Sequence, residues 1–369
     1  MLDLDIRQFW KDDALAHKEN CFSAEAPQAA LGLRMSRECV YAELGEEGNP
    51  WGEEPRERQL DLNKRYNDKA EKIVGIRLLP EDLPPTDAVF PAVRQIGEVF
   101  GGKYIFNGSW WLEGSLETPK QLERQLDWIE TMDFRGFVLP DNWEAEKARI
   151  YETYGIRPPL YKGMRGPVTL ACSVYGIENL IFLGYDDPDL FERFSETIKN
   201  VIFRYIDLMG EEAGYTKDTL PRGFEFYDDN SCLLTPKLYE RFGYPVLRDV
   251  FARMSPDPGD VRYQHSDSAM GHLLPILGRL DLNGCNFGPT VSVEEIRKHL
   301  PNARIDGQLA PFALMQNDLA WIERDVLRDI EAARSHRGLN ITTAGSVNNG
   351  SLLTSMRHIM ALIQNYGRY

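Results

Sequence analysis

The sequence predicts an α/β fold, a (β/α)8 TIM barrel with an N-terminal elaboration, from three observations. The chain has 369 residues, 43% of them hydrophobic and 11% aromatic, which is enough for the core of one large barrel. In its second half, short β-rich runs alternate with amphipathic helical segments, the pattern of parallel strands joined by helices. No GxGxxG motif or P-loop lysine follows a predicted strand, which disfavours an open doubly wound sheet.

Eight segments are predicted to be the strands of this barrel, six of them from residue 168 onward. In order, they are MSRECVYAEL at 35–44, YIFNGSWW at 104–111, VTLACS at 168–173, GFEFY at 223–227, VRYQH at 261–265, LNGCNF at 282–287, ARID at 303–306 and LNITT at 339–343.

Two of the intervening helices have clear start signals. Pro188 follows Asp187, and Pro236 follows Thr235, so each proline occupies a first helical position behind a capping residue. The helix that begins at Pro188 carries one apolar stripe at three- and four-residue spacing, which predicts a face buried in the core.

The first part of the chain fits the barrel pattern less well. It combines a charged helical segment with proline-rich loops. We therefore predict that residues 1–90 form an elaboration packed on the barrel and that residues 91–369 form the barrel itself.

Charge and composition exclude several classes of function. The net charge of −15 argues against a nucleic-acid partner, because the protein offers no excess of cations to a phosphate backbone. The sequence has no apolar run of 18 residues and no signal-peptide pattern at its start, which predicts no membrane segment. Five widely spaced cysteines without a CxxC motif indicate a reducing compartment. Together these features predict a cytoplasmic protein.

The barrel prediction selects candidate site residues, because active sites of such barrels lie at the C-terminal ends of the strands. His265 and Asp267 directly follow VRYQ and suit metal binding or proton transfer. The run EFYDDN places Glu225, Asp228 and Asp229 at another strand end, where neighbouring carboxyl groups suit proton transfer or cation binding. The remaining candidates are Glu38, Glu43, Asn107, Trp110, Trp111, Asn286 and Gln308, the tryptophans as apolar walls for a substrate.

Each candidate also has a purely structural interpretation. His265 suits the end of a strand and Asp267 the N-cap of the next helix. The EFYDDN run suits a solvated acidic turn, and Trp110 and Trp111 suit ordinary packing.

The chain resembles the uroporphyrinogen decarboxylase-like superfamily over residues 90–369. The resemblance lies in the order and spacing of five segments: GPVTLACSVYGIENLIFLGYDDPDLFERF, DDNSCLLTPKLYERFGYPVL, HSDSAMGHLLPILGRLDLNGCN, IDGQLAP and the terminal ITTAGSVNNG with MRHIMALIQNYGRY. The resemblance implies a (β/α)8 barrel that is either a tetrapyrrole decarboxylase or a methyltransferase that works with a corrinoid cofactor such as cobalamin.

Departures from the family pattern favour the methyltransferase branch. The arginine- and proline-containing N-terminal motif of the true decarboxylases is missing. Without these arginines, binding of a polycarboxylate substrate to an acidic chain is electrostatically unfavourable. In the family members that hold zinc through thiolates, the ligand pattern looks like His-x-Cys followed by a later Cys. This chain has His265, Asp267 and Ser346 at the corresponding places. A harder zinc site of His265, Asp267 and Glu225, or Glu38 in its place, is then expected, or else no metal.

These features lead to one preferred hypothesis and two alternatives. The preferred function is the demethylation of a small methylated, for example O-methyl, substrate, with transfer of the methyl group to a partner corrinoid protein. His265, Asp267, Glu225 and Asp228 are the predicted catalytic residues, and a homodimer is predicted by analogy. The alternatives are a decarboxylase of an acidic ring compound and a non-catalytic corrinoid-binding barrel.

Overall fold

The computed structural model describes residues 2–52, 54–106, 110–347 and 349–369. Two compact units make up the chain. Unit 1 comprises Met1–Leu83, Ser266–Leu274 and Asp281–Tyr369, and unit 2 comprises Pro84–His265 and Pro275–Leu280. The sequence-based division at residue 90 stays a prediction.

Helices and strands alternate through most of the described chain. The helices are α1 (Ile6–Ala16), α2 (Arg37–Leu44), α3 (Arg56–Ile73), α4 (Ile96–Val99), α5 (Pro119–Thr131), α6 (Phe134–Val138), α7 (Trp143–Tyr154), α8 (Pro167–Tyr175), α9 (Ile177–Asp186), α10 (Pro188–Glu212), α11 (Pro236–Met254), α12 (Leu274–Leu277), α13 (Val293–His299), α14 (Pro311–Met315), α15 (Leu319–Ala333) and α16 (Leu353–Tyr366). The strands are β1 (Ala30–Leu31), β2 (Lys103–Phe106), β3 (Trp110–Glu113), β4 (Gly163–Arg165), β5 (Phe224–Tyr227), β6 (Arg262–Ser266), β7 (Gly284–Phe287), β8 (Arg304–Leu309) and β9 (Leu339–Thr343).

The described residues of unit 1 include four parallel strands in the order β1-β9-β8-β7. The two-residue strand β1 pairs with β9 on one side, and helix α1 and its C-cap residue His17 provide hydrogen-bonding groups for the backbone of β1. Asp13 Oδ1 accepts the Leu31 N–H at 2.8 Å, and His17 Nε2 lies 3.2 Å from the Leu31 carbonyl oxygen. These side chains satisfy backbone groups that a very short strand would otherwise leave without partners.

In the part of unit 2 that the structure describes, three parallel strands lie in the order β4-β5-β6, and β2 pairs with β3 in antiparallel fashion. Its core is aromatic. Phe226 packs edge-to-face on Phe251 of α11, and Phe194 of α10 packs edge-to-face on Phe242. The apolar stripe predicted for the helix from Pro188 is buried as expected.

Two segments predicted to be strands are helices instead. Residues 168–173 lie in α8, because Pro167 occupies its first position and Asp228 caps its third backbone N–H. A short buried apolar run has the same composition in a strand as in a helix, so the prediction was wrong there. Residues 35–44 largely form α2, which starts at its cap Ser36 and ends at Gly45 with φ of 66°.

The predicted strand at 104–111 also has a different role. Its described residues belong to the antiparallel hairpin β2–β3, not to the parallel strands. Two parallel strands, β1 and β4, were not predicted. They are two and three residues long, which is too short for a periodic signal to identify them.

Among the described residues, no single helix is long and apolar enough to cross a membrane. The pair α8 and α9 passes that test by length and composition, but the two helices are bent by 103°.

Candidate functional site

One face of the β4-β5-β6 strands in unit 2 carries the polar groups of the candidate site. Parallel register pairs Gly163 with Glu225, and Arg165 with Tyr227. It also pairs Tyr227 with His265, so these side chains share a face because paired residues point to the same side. Phe224 and Phe226, on the opposite face, are fully buried.

Glu225 and Tyr227 form a hydrogen-bonded pair on this face. The Tyr227 hydroxyl donates to Glu225 Oε2 at 2.6 Å. Burial, and then the hydrogen bond to Glu225, raise the pKa of Tyr227 well above its usual range, so the phenol stays protonated. Glu225 lies inside β5 instead of following it, which corrects its predicted position.

His265 lies at the C-terminal end of β6, as predicted, and Asp229 follows β5. His265 Nε2 is 3.7 Å from Asp229 Oδ1, and the two side chains are 25% and 40% exposed. The Tyr227 ring centroid lies 5.9 Å from that of His265. An imidazole beside a carboxylate and an aromatic ring, open to solvent, can exchange a proton with a bound molecule.

Asp228 occupies a different environment from its neighbour Asp229. Its side chain is fully buried, and Oδ1 accepts the Thr169 N–H at 2.7 Å, one of the free backbone donors at the start of α8. The Asp228 backbone N–H donates to the His265 carbonyl oxygen at 2.9 Å. Asp228 thus ties the end of β5 to both α8 and β6 and holds the turn that carries Asp229.

Substituting Asp228 by asparagine is expected to stabilise the protein at neutral pH. Burial raises the pKa of Asp228 to about 7, although hydrogen bonds from Thr169 lower it in part. Because this folded-state pKa exceeds the unfolded value of about 3.9, ionisation costs stability, progressively, as the pH rises from about 4 to about 7.

The asparagine keeps the acceptor for Thr169 but does not ionise. Urea unfolding at pH 4 and pH 8 should show the variant gaining up to about 4 kcal/mol over wild type across that interval. Asp218→Asn, at an exposed position in the same unit, is the matched control and should show no such gain. A constant difference between Asp228→Asn and wild type at both pH values would contradict the prediction.

Five of the predicted site residues belong to unit 1, and three of them, Asp267, Asn286 and Gln308, lie in a strand or directly after one. Asp267 is exposed and directly follows β6. It lies against Gly345, since a Cβ atom added to Gly345 would be 3.1 Å from Asp267 Oδ2. Asn286 is buried in β7, where its amide donates to the Thr343 carbonyl oxygen at 3.0 Å and accepts the Gly345 N–H at 3.1 Å. Gln308 is buried in β8 and donates to the carbonyl oxygens of Gly288 and Val291. Asn286 and Gln308 therefore bond to backbone, and both lie within strands instead of after them.

Trp110 and Trp111 lie in β3 and are 64% and 61% exposed. Ordinary core packing is thereby excluded for both side chains, and their predicted role as a substrate wall stays a prediction. Asn107 lies outside the described residues.

Glu38 and Glu43 lie in α2 and not after a strand. Glu38 accepts a hydrogen bond from Trp51 Nε1 at 2.9 Å. Glu43 accepts the Leu353 N–H at the start of α16 at 2.9 Å, so it has the role of a helix cap.

A cavity of about 410 Å³ lies in unit 2 beside the candidate face. Glu225, Tyr227 and Lys162 line part of it, together with Gly163. A Cβ atom on Gly163 would lie 3.3 Å from the Tyr227 ring, so the glycine leaves space for that ring over β4.

Sequence reasoning missed Tyr227 and Arg165. The alternation in FEFY places Tyr227 on the same side as Glu225, a signal available from sequence. Arg165 lay outside every predicted strand. In the structure it ends β4, and its Nη1 donates to Ser173 Oγ at 3.2 Å.

Comparison with solved structures shows a similar fold in a methyltransferase from Methanosarcina mazei. The TM-score is 0.58 at 15% sequence identity, and the match covers 96% of this chain and 98% of that one. At this identity the similarity concerns the fold alone. A comparison with curated proteins returned no match.

The family model for uroporphyrinogen decarboxylase (URO-D) matches residues 146–366, more than half of the chain. Members of that family are (β/α)8 barrels, which agrees with the parallel strands and intervening helices of both units and confirms the predicted fold class. The chain belongs to the uroporphyrinogen decarboxylase (URO-D) family.

Proposed function

We propose that this chain is a methyltransferase that binds a small methylated substrate, with an O-methyl compound as the first candidate, and passes its methyl group to a partner corrinoid protein. The observation that carries the proposal is the His265–Asp229 pair beside Tyr227 at the C-terminal ends of β5 and β6. Family membership and the fold similarity to a methyltransferase over nearly the whole chain also support it.

The chemistry assigned to these residues is proton transfer to the leaving atom. When a methyl group leaves an ether oxygen, the bonding electron pair stays on the oxygen, which then needs a proton. We assign the donation of that proton to His265, which the Asp229 carboxyl group, with Oδ1 3.7 Å from His265 Nε2, helps to position. The corrinoid of the partner protein would supply the nucleophile that accepts the methyl group.

Zinc binding at the same donor atoms is the alternative to proton donation, because a histidine nitrogen that ligates zinc carries no proton to donate. Imidazole nitrogen and carboxylate oxygen are both zinc ligands, and His265 and Asp229 bring one of each to within 3.7 Å. Asp267, two residues after His265, and Glu225 are the other proposed ligands. When bound, zinc would act as a Lewis acid on the ether oxygen.

Metal analysis tests the zinc proposal without knowledge of the substrate. We expect about one zinc per chain in anaerobically purified protein and its loss in His265→Ala, because removal of one of few ligands sharply weakens binding. Mass spectrometry of the metal content measures this. His336→Ala, at an exposed position, is the control and should keep its zinc. No zinc in wild type, or equal zinc in His265→Ala, would contradict the metal assignment and leave proton transfer by His265.

Decarboxylation of an acidic ring compound is the second candidate function. Membership of the uroporphyrinogen decarboxylase family supports it. So does Arg165, a cation with no carboxylate partner among the described residues. It would need no corrinoid.

One assay separates the two functions. Purified protein is incubated with reduced cobalamin and a panel of methoxylated compounds, with and without a carboxyl group, and methylcobalamin is followed by absorbance. We expect methylcobalamin to form with at least one donor. Release of CO2 from an acidic compound, without methylcobalamin and independent of cobalamin, would favour decarboxylation instead. The homodimer and the cellular location stay predictions.

A further inference from the structure

Arg165 is a cation at the C-terminal end of β4, on the same face as Tyr227 and His265. It pairs in register with Tyr227, which in turn pairs with His265 on the next strand. Its side chain is partly exposed. A ligand that contacts Tyr227 is therefore within reach of the guanidinium group.

The hydrogen-bonding capacity of Arg165 is largely unused within the described part of the chain. A guanidinium group has five N–H donors in a planar fork. Among the described residues, only Nη1 donates, to Ser173 Oγ at 3.2 Å, and no carboxylate lies within ion-pair distance. Arg304, in contrast, forms a bidentate pair with Asp306, in which Nε donates to Oδ1 at 2.7 Å and Nη2 donates to Oδ2 at 2.8 Å. In a chain with 57 acidic against 42 basic residues, the absence of an acidic partner for Arg165 in the described part of the chain points to a ligand.

A structural role for Arg165 explains little of this arrangement. Ser173 already donates its hydroxyl hydrogen to the Thr169 carbonyl oxygen at 2.8 Å, so its hydrogen bond within α8 does not depend on the arginine. The start of α8 is capped by Asp228.

We propose that Arg165 binds a carboxylate of the substrate through paired hydrogen bonds, so that the methyl donor is an anion with its carboxylate at one end and the methylated atom at the other. This inference rests on the proposed function, which places the methylated atom at His265. Arg165 and His265 lie on strands separated by β5, and two strand spacings amount to roughly 10 Å between backbones. A six-membered ring with substituents at opposite positions, lying over the Tyr227 ring, suits that separation.

Calorimetric titration of the full chain with 4-methoxybenzoate and with its neutral analogue 4-methoxybenzamide tests the inference. We expect the acid to bind more tightly than the amide to wild type, and Arg165→Gln to bind the acid at least about ten-fold more weakly. The affinity for the amide should change little. Arg222→Gln is the matched control, since it removes the same charge from an exposed side chain that pairs with Asp257.

Three results would overturn the inference: equal affinity of wild type for acid and amide, undiminished binding of the acid by Arg165→Gln, or no binding of the acid up to about 10 mM. Arg165→Lys keeps the charge but not the fork, and should bind the acid with intermediate affinity. It decides the question if Arg165→Gln does not fold. Arg165-dependent binding without any methyl transfer would count against the proposed function and leave the anion site in place.

Discussion

Replacing His265 by alanine is expected to lower kcat/KM for methyl transfer by about 10²- to 10⁴-fold, the usual contribution of a positioned acid or base. The reason is that His265 is the group on the candidate face that combines a titratable nitrogen, a nearby carboxylate and access to solvent. Because Asp229 lies beside His265, Asp229→Asn should also lower kcat/KM for methyl transfer, by a smaller factor. Formation of methylcobalamin under single-turnover conditions measures both effects.

The same experiment needs a control for general effects of histidine loss. His358 in α16 has a similar exposure, 20%, and lies 3.6 Å from Glu323, so it also sits beside a carboxylate. We expect His358→Ala to keep the activity of wild type. Equal activity of His265→Ala and wild type, with the true methyl donor, would remove His265 from the mechanism.

The largest expected loss of stability comes from substitution of Glu212, at the end of α10. Its side chain is 4% exposed, and its carboxylate accepts hydrogen bonds from Arg135, from Trp143 Nε1 at 2.6 Å and from Lys147 at 2.6 Å. Burial by itself raises the pKa of Glu212, but these donors outweigh it and lower the pKa to about 2. Glu212→Gln should therefore destabilise the protein by about 3 kcal/mol at neutral pH.

The pH dependence of that contribution has a definite sign. Because the folded-state pKa lies below the unfolded value of about 4.3, the stabilisation is complete above about pH 5 and is lost as the pH falls toward 2. Urea unfolding of wild type and Glu212→Gln from pH 7 down to pH 3 should show the two curves converging.

Glu144 is a matched control for Glu212. It also pairs with Arg135 and Lys147, yet its side chain is 63% exposed. Glu144→Gln should cost less than about 1 kcal/mol, because an exposed ion pair is screened by solvent. Similar losses in both variants would show that the burial of Glu212 does not matter.

Much of the barrel could be predicted from sequence because its signals are local. The strands near 223–227, 261–265, 282–287, 303–306 and 339–343 were predicted correctly, since each is a compact β-rich run between turns and helices. The helix starting at Pro188 was predicted from its cap and its apolar stripe. His265 was selected by its place after such a run.

The candidate site was predictable only in part, for physical reasons that particular residues make clear. Asp228 and Asp229 are adjacent and chemically identical in the sequence, yet one is buried beneath α8 and the other lies beside His265. The separation arises from the hydrogen bond between Asp228 and Thr169, 59 residues apart. No local pattern encodes such a contact.

The α/β class, the positions of the longer elements and the polar character of the strand ends could be predicted from the sequence alone, because side-chain periodicity and turn residues act over a few neighbours. The three-dimensional arrangement was needed to show that Gly163–Arg165 form β4 and that Arg165, Tyr227 and His265 share one face. Those facts depend on the register between strands whose residues are tens of positions apart, and register is set by packing of the whole sheet.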